Sequence, residues 1–75
     1  MDKKFEITGT TELTCLLGNP VSHSISPAMH NASFQKLGLD YTYLAFSVDE
    51  THFERAVDGL ITLGAAGWNC TMPLK

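Results

Sequence analysis

Positive charge is scarce in this sequence, and a long apolar run is missing altogether. The 75 residues carry five Lys and Arg against eight Asp and Glu, a formal net charge of −3, and Lys3-Lys4 is the only adjacent basic pair. That leaves none of the clustered basic surface a nucleic-acid partner requires. No apolar stretch approaches the ~20 residues of a membrane span, and Met1-Asp2-Lys3-Lys4-Phe5-Glu6 lacks the continuous apolar region of a secretory signal, so no membrane partner is expected and the default address is cytoplasmic. The two cysteines, Cys15 and Cys70, have no Cys-x-x-Cys spacing; they read as small buried hydrophobes in a reducing compartment, without a disulfide. His23, His30 and His52 show neither the i, i+4 helical pairing nor the cysteine spacing of a zinc site, so no metal centre is expected.

What is present is the composition of a folded chain: 44% hydrophobic and 17% charged residues, too apolar for a disordered tail. Chains of this length bury only about 60% of the surface they expose when unfolded. An uncovered sheet edge is therefore expected, through which the chain could associate, and the domain reads as incomplete.

The apolar pattern divides the chain into alternating strands and helices. Glu12 to Leu17, with Thr14-Cys15-Leu16-Leu17 at its heart, is a short apolar run bounded by turn residues, the pattern of a strand covered on both faces. Phe5 to Ile7 before it is either half of a ragged hairpin or an extended lead-in. From Pro27 to about Leu37 the spacing is helical, with Gly38 as its stop, and Ser26-Pro27 has the form of an N-cap followed by proline at the first helical position. For His30 and Asn31 in the first turn, local packing and capping is the plain reading. Tyr41 to Val48 is rich in aromatic and β-branched residues and forms the second strand. A second helix follows, capped either by Asp49 or by Thr51 with Glu54 in a capping box; Phe53, Ala56, Val57, Leu60 and Ile61 form one buried stripe on it, and Gly64 ends it. Gly59 inside this helix is tolerated or packed closely against the sheet. Trp68 to Thr71 is a short third strand.

Strand, helix, strand, helix, strand predicts an α/β fold: a mostly parallel sheet joined by right-handed crossovers, helices on both faces, strand order 2-1-3. The loops that leave the strands then share one edge, and at a 2-1-3 switch point that edge is where open α/β sheets bind ligands. Gly18-Asn19-Pro20-Val21-Ser22-His23-Ser24-Ile25-Ser26-Pro27 leaves the first strand there. Its serine hydroxyls and the free amides of the following helix suit a carboxylate or phosphate, although a serine-rich turn that merely caps a helix has the same composition. Alternation along the third strand sends Asn69 and Thr71 to one side and Trp68 and Cys70 to the other. Lys75 follows just past Pro73; in isolation it would read as a solvated charge, but beside a carbonyl or carbinol oxygen a lysine can pass a proton. Together these groups suit a small polyhydroxylated acid, with its carboxylate on Ser24 and Ser26, ring hydroxyls on Thr71 and Asn69, and Lys75 at the reacting oxygen.

The same two segments carry a family likeness. The Gly18 to Pro27 stretch with His30-Asn31 resembles the opening substrate loop of the shikimate dehydrogenase family, and Asn69-Cys70-Thr71-Met72-Pro73-Leu74-Lys75 resembles its Asn-x-Thr-x-Pro-x-Lys motif, at the matching spacing. The resemblance implies that residues 1–75 are the N-terminal part of the substrate-binding domain of a longer protein. It implies NADPH-dependent reduction of 3-dehydroshikimate to shikimate in aromatic amino acid biosynthesis. It further implies that Ser24 and Ser26 hold the substrate carboxylate, that Asn69 and Thr71 contact the substrate or shape its pocket, and that Lys75 is the catalytic acid/base, working with an aspartate further along. NADP is the implied cofactor, on a separate Rossmann domain beyond residue 75; no GxGxxG stands between a strand and a helix here, and the 75 residues alone are expected to be inactive. Two alternatives stay open: a quinate/shikimate dehydrogenase, or a non-catalytic module that binds a small carboxylate.

Overall fold

Alternation along Leu13 to Leu17 makes strand β1 (Glu12–Gly18) the middle of the molecule, because its odd and even side chains enter different apolar layers. The structure, a computed structural model, describes residues 6–71. Elements follow in the expected order: β1, helix α1 (Ser26–Leu37), strand β2 (Tyr41–Ser47), a 3₁₀ turn (Glu50–His52) running into helix α2 (Phe53–Leu63), and strand β3 (Gly67–Cys70). All pairings are parallel and the order is β2-β1-β3. Thr14 stands opposite Tyr43 on one side and Gly67 on the other, and Leu17 opposite Phe46 and Cys70.

One layer gathers Cys15 and Leu17 of β1 with Leu60 of α2, flanked by Phe53, Val57, Trp68 and Cys70. The other gathers Leu16, Val21 and Tyr43, with Phe34 of α1 and Ala45 packed against them. Each fully buried leucine contributes about 1.5–3 kcal/mol by leaving water, so β1 anchors both layers. The burial of Cys15 pushes its thiol pKa up, reinforced by the neighbouring Cys70, and both cysteines are free.

Of the stripe expected to be buried on α2, only Leu60 is buried; Phe53, Ala56 and Val57 are half-buried, and Ile61 is 62% exposed. At about 100° per residue Ile61 lies about 80° round from Phe53, at the margin of the face that Val57 and Leu60 centre. Leu44 and Phe46, on the α2 side of β2, are also substantially exposed, so part of a sheet face is uncovered in addition to the edge expected from the chain's length.

The chain termini of the elements follow their local chemistry, with one revision. Gly38 and Gly64 end the helices in the left-handed conformation, at φ 70° and 77°. Asp49, not the Thr51–Glu54 box, caps the second helical segment: its carboxylate accepts from the His52 N–H (3.0 Å) and the Thr51 hydroxyl (2.8 Å). Ser26 is the first helical residue rather than the N-cap, and Ile25 occupies the cap position. The reason is that the Ser24 hydroxyl takes the Ser26 N–H at 3.2 Å while the Ile25 carbonyl accepts from Met29. Upstream, the start is a turn and lead-in: the Thr11 N–H donates to the Thr8 carbonyl, and the hydroxyls of Thr10 and Thr11 both donate to Asp40 before β2. Phe5 of the alternative hairpin lies outside the described residues.

Asn31 departs from the local role. Its side chain donates to the Tyr43 carbonyl (2.9 Å) and accepts from the Tyr43 N–H (2.8 Å). Even-numbered residues around β2 turn their backbone groups toward β1, as the bonds from Glu12 to Asp40 and from Val48 to Gly18 show. Tyr43 therefore faces outward, and Asn31 covers the free edge of β2 as a surrogate strand would.

Candidate functional site

The loop between β1 and α1 is tied to the α1 side of the sheet by Val21, which is buried with Leu16 and Tyr43. A turn follows, closed by the Ser24 N–H on the Val21 carbonyl at 3.0 Å, and the Asn19–Pro20 bond is cis. Ser24 and Ser26 are half-buried and Ser22 is exposed. Because Ser24 accepts from Ser26, its own hydroxyl hydrogen stays free to donate outward. The amides assigned to an anion from the sequence are mostly committed: Ser26 bonds Ser24, Pro27 has none, and Met29 bonds Ile25. Anion-binding capacity therefore rests on the serine hydroxyls more than on the helix end.

β3 delivers its polar side chains to the same side. Trp68 and Cys70 pack into the α2 layer, so Asn69 and Thr71 project toward the α1 side, as the alternation predicts. The Thr71 N–H donates to the Leu17 carbonyl at 2.9 Å, which fixes it at the carboxyl edge of the sheet beside Gly18, where the serine loop departs. Asn69 donates through Nδ2 to the Tyr43 hydroxyl at 3.3 Å. It also walls a concavity of about 330 Å³ with Thr14, His30, Phe34 and Tyr43. The His30 ring stacks on Tyr43, centroids 4.3 Å apart.

The structure thus brings the loop of Ser24 and Ser26 and the pair Asn69 and Thr71 to one side and one edge of the sheet. Lys75 lies outside the described residues, as do Met72, Pro73 and Leu74. The sequence reading does not single out Tyr43, because an aromatic in a strand reads as core; the signal for its contacts is the adjacency of His30 and Asn31 inside the first motif, since both hold that tyrosine.

A second concavity of about 450 Å³, lined by Ser47, Val48, Asp49, His52 and Arg55, opens after β2. Its Asp49 is already engaged by Thr51 and by His52, whose Nδ1 lies 2.6 Å away. Among the described residues there is no group of three His, Cys, Asp or Glu placed to hold a metal ion, and no helix long and apolar enough to cross a membrane. A glycine-rich dinucleotide turn is not formed by the described residues: Gly18 at the end of β1 is followed by no further glycine from Asn19 to Ile25, and the β2–α2 link at Val48-Asp49 holds none, so neither has the GxGxxG pattern of a dinucleotide fold.

Three parallel strands in the order β2-β1-β3, with α1 and α2 on opposite faces, define an α/β domain whose serine loop and Asn69–Thr71 pair both lie on the α1 side, toward the carboxyl edge of the sheet. The chain belongs to the shikimate dehydrogenase family: the family model described as shikimate dehydrogenase substrate binding domain matches residues 16–75. It is 57% identical over 72 residues to the shikimate dehydrogenase (NADP(+)) of Alkaliphilus metalliredigens, covering 96% of this chain and 25% of that protein. The crystal structure of shikimate 5-dehydrogenase from Listeria monocytogenes in complex with shikimate and NAD superposes with a TM-score of 0.92 at 48% identity, over 97% of this chain and 25% of that one. A ligand-free 5-ketofructose reductase of Gluconobacter superposes with a TM-score of 0.88 at 28% identity, over 91% and 24%. The chain spans about a quarter of the length of these relatives.

Proposed function

We propose that residues 1–75 form the N-terminal part of the substrate-binding domain of an NADP-dependent shikimate dehydrogenase, which reduces 3-dehydroshikimate to shikimate in aromatic amino acid biosynthesis. What supports the reading is that the serine loop leaves β1 and the Asn69–Thr71 pair ends β3 on the same side of one parallel sheet, toward its carboxyl edge, in a chain 57% identical to an enzyme of that name. Ser24 and Ser26 donate to the substrate carboxylate, while Asn69 and Thr71 meet the ring hydroxyls. Converting a ketone to an alcohol needs a hydride at carbon, which the nicotinamide cofactor supplies, and a proton at oxygen. Lys75 gives that proton and takes it back in the reverse direction. The cofactor site belongs to sequence after residue 75, and the free thiols of Cys15 and Cys70 favour a cytoplasmic address.

The test is a hybrid in which residues 1–75 replace the corresponding quarter of the Alkaliphilus enzyme. NADP⁺ reduction with shikimate is expected, preferred over quinate and over a keto-sugar couple. Lys75→Ala should lower kcat by about 10²–10⁴-fold with a smaller change in KM. A folded but inactive hybrid, or a Lys75→Ala hybrid as active as its parent, overturns the reading.

A further inference from the structure

Tyr43 is the junction of the α1 side. Its backbone is held at both polar groups by Asn31, its ring is stacked by His30, and its hydroxyl accepts from Asn69. The ring is buried, only 3% exposed, whereas Asn69 is exposed. A rigid residue thus grips a side chain that would otherwise rotate freely in solvent. An amide that spends one N–H on Tyr43 is fixed in orientation and keeps two groups to offer, its second N–H and the Oδ1 acceptor on the far side of the amide.

We propose that Tyr43 is a positioning residue: by holding Asn69 through Nδ2 it presents Oδ1 to a hydroxyl of the substrate, and His30 and Asn31 serve the site by fixing Tyr43. This rests on the reading of Asn69 as a substrate-binding residue. Ordering a side chain before the ligand arrives removes a rotamer cost that binding would otherwise bear. The arrangement also links the two sequence motifs physically, since His30 and Asn31 belong to the first and Asn69 to the second. With an acceptor and one remaining N–H on the same fixed amide, Asn69 matches a ligand hydroxyl, which can both donate and accept.

A double-mutant cycle in the hybrid enzyme tests this, with Tyr43→Phe, Asn69→Ala and the pair. Tyr43→Phe keeps the ring, its stacking and its backbone bonds and deletes one oxygen. It should raise the KM for shikimate about five- to ten-fold while kcat stays within about two-fold. Asn69→Ala should lose more, and adding Tyr43→Phe to it should change kcat/KM by less than about two-fold, because the hydroxyl acts only through the amide. If Tyr43→Phe matches the parent, or if the two effects multiply, the positioning role is overturned while Asn69 remains a binding residue. If Asn69→Ala itself has the parent's kinetics, the substrate-binding reading fails and the positioning role falls with it.

Discussion

Asn31 and Tyr43 are joined by two hydrogen bonds, of 2.9 and 2.8 Å, between a side-chain amide on α1 and both backbone groups of a residue on β2. The amide copies the geometry of a neighbouring strand, so the free edge is closed at its middle without another strand being present. An unpaired edge is a template for another chain, and this pair narrows the association expected from an uncovered sheet.

Asn31→Ala removes both bonds and should cost about 1–3 kcal/mol, read as a lower urea midpoint. Asn31→Asp should not rescue it, because a carboxylate can accept from the Tyr43 N–H but meets the Tyr43 carbonyl with like charge. The alanine variant should also elute from size exclusion with concentration-dependent size, reflecting the reopened β2 edge. An Asp variant as stable as the parent would contradict this account.

Acid should weaken the fold through two aspartates. The hydroxyls of Thr10 and Thr11 hold the Asp40 pKa below its ordinary value, and Thr51 followed by His52 does the same for Asp49. Folded-state values lower than unfolded ones mean the unfolded chain binds protons first. The stabilisation is therefore complete above about pH 4 and lost as pH falls through the folded values. Urea midpoints should drop across that acid range, and an Asp40→Asn, Asp49→Asn variant should show a shallower drop. Equal slopes would remove these residues from the explanation.

Two glycines should respond to alanine with opposite sign. A Cβ on Gly59 meets nothing within 4 Å, so the tolerated rather than the closely packed reading of this residue holds. Gly59→Ala should stabilise α2 by up to about 1 kcal/mol. Gly64 also has open space, but its φ of 77° belongs to the left-handed region, and Gly64→Ala should cost about 1 kcal/mol. Thermal midpoints of the two variants should fall on either side of the parent.

Strand order, parallel pairing and the sidedness of Asn69 and Thr71 were legible because they follow from short apolar runs, turn residues and two-residue alternation, all of which act locally. Three features were not. Ser26 lost the cap position because Ser24 competes for its amide from two residues away, a contest that residue type does not decide. Asn31 reads as a local polar residue until its partner twelve positions away is known. Ile61 fits the helical period, but the period does not say how wide the covered stripe is, and Ile61 lies at the margin of the face that Val57 and Leu60 centre. Of the candidate site, the serine loop and the β3 pair were readable as motifs; the bond from Asn69 to Tyr43 was not, since it joins two strands through side chains 26 positions apart.

The division of β1 between two layers also governs how this chain can change over time. Gly18, Thr8 and their neighbours border turns, where an added or lost residue is absorbed by the loop. Inside Leu13 to Leu17 a single deletion would swap the faces of every following side chain, sending Leu16 toward α2 and Leu17 toward the serine loop. One frame slip there would damage both packed layers together, including the one that holds the serine loop through Val21, so this short segment should accept substitutions but resist any change of length.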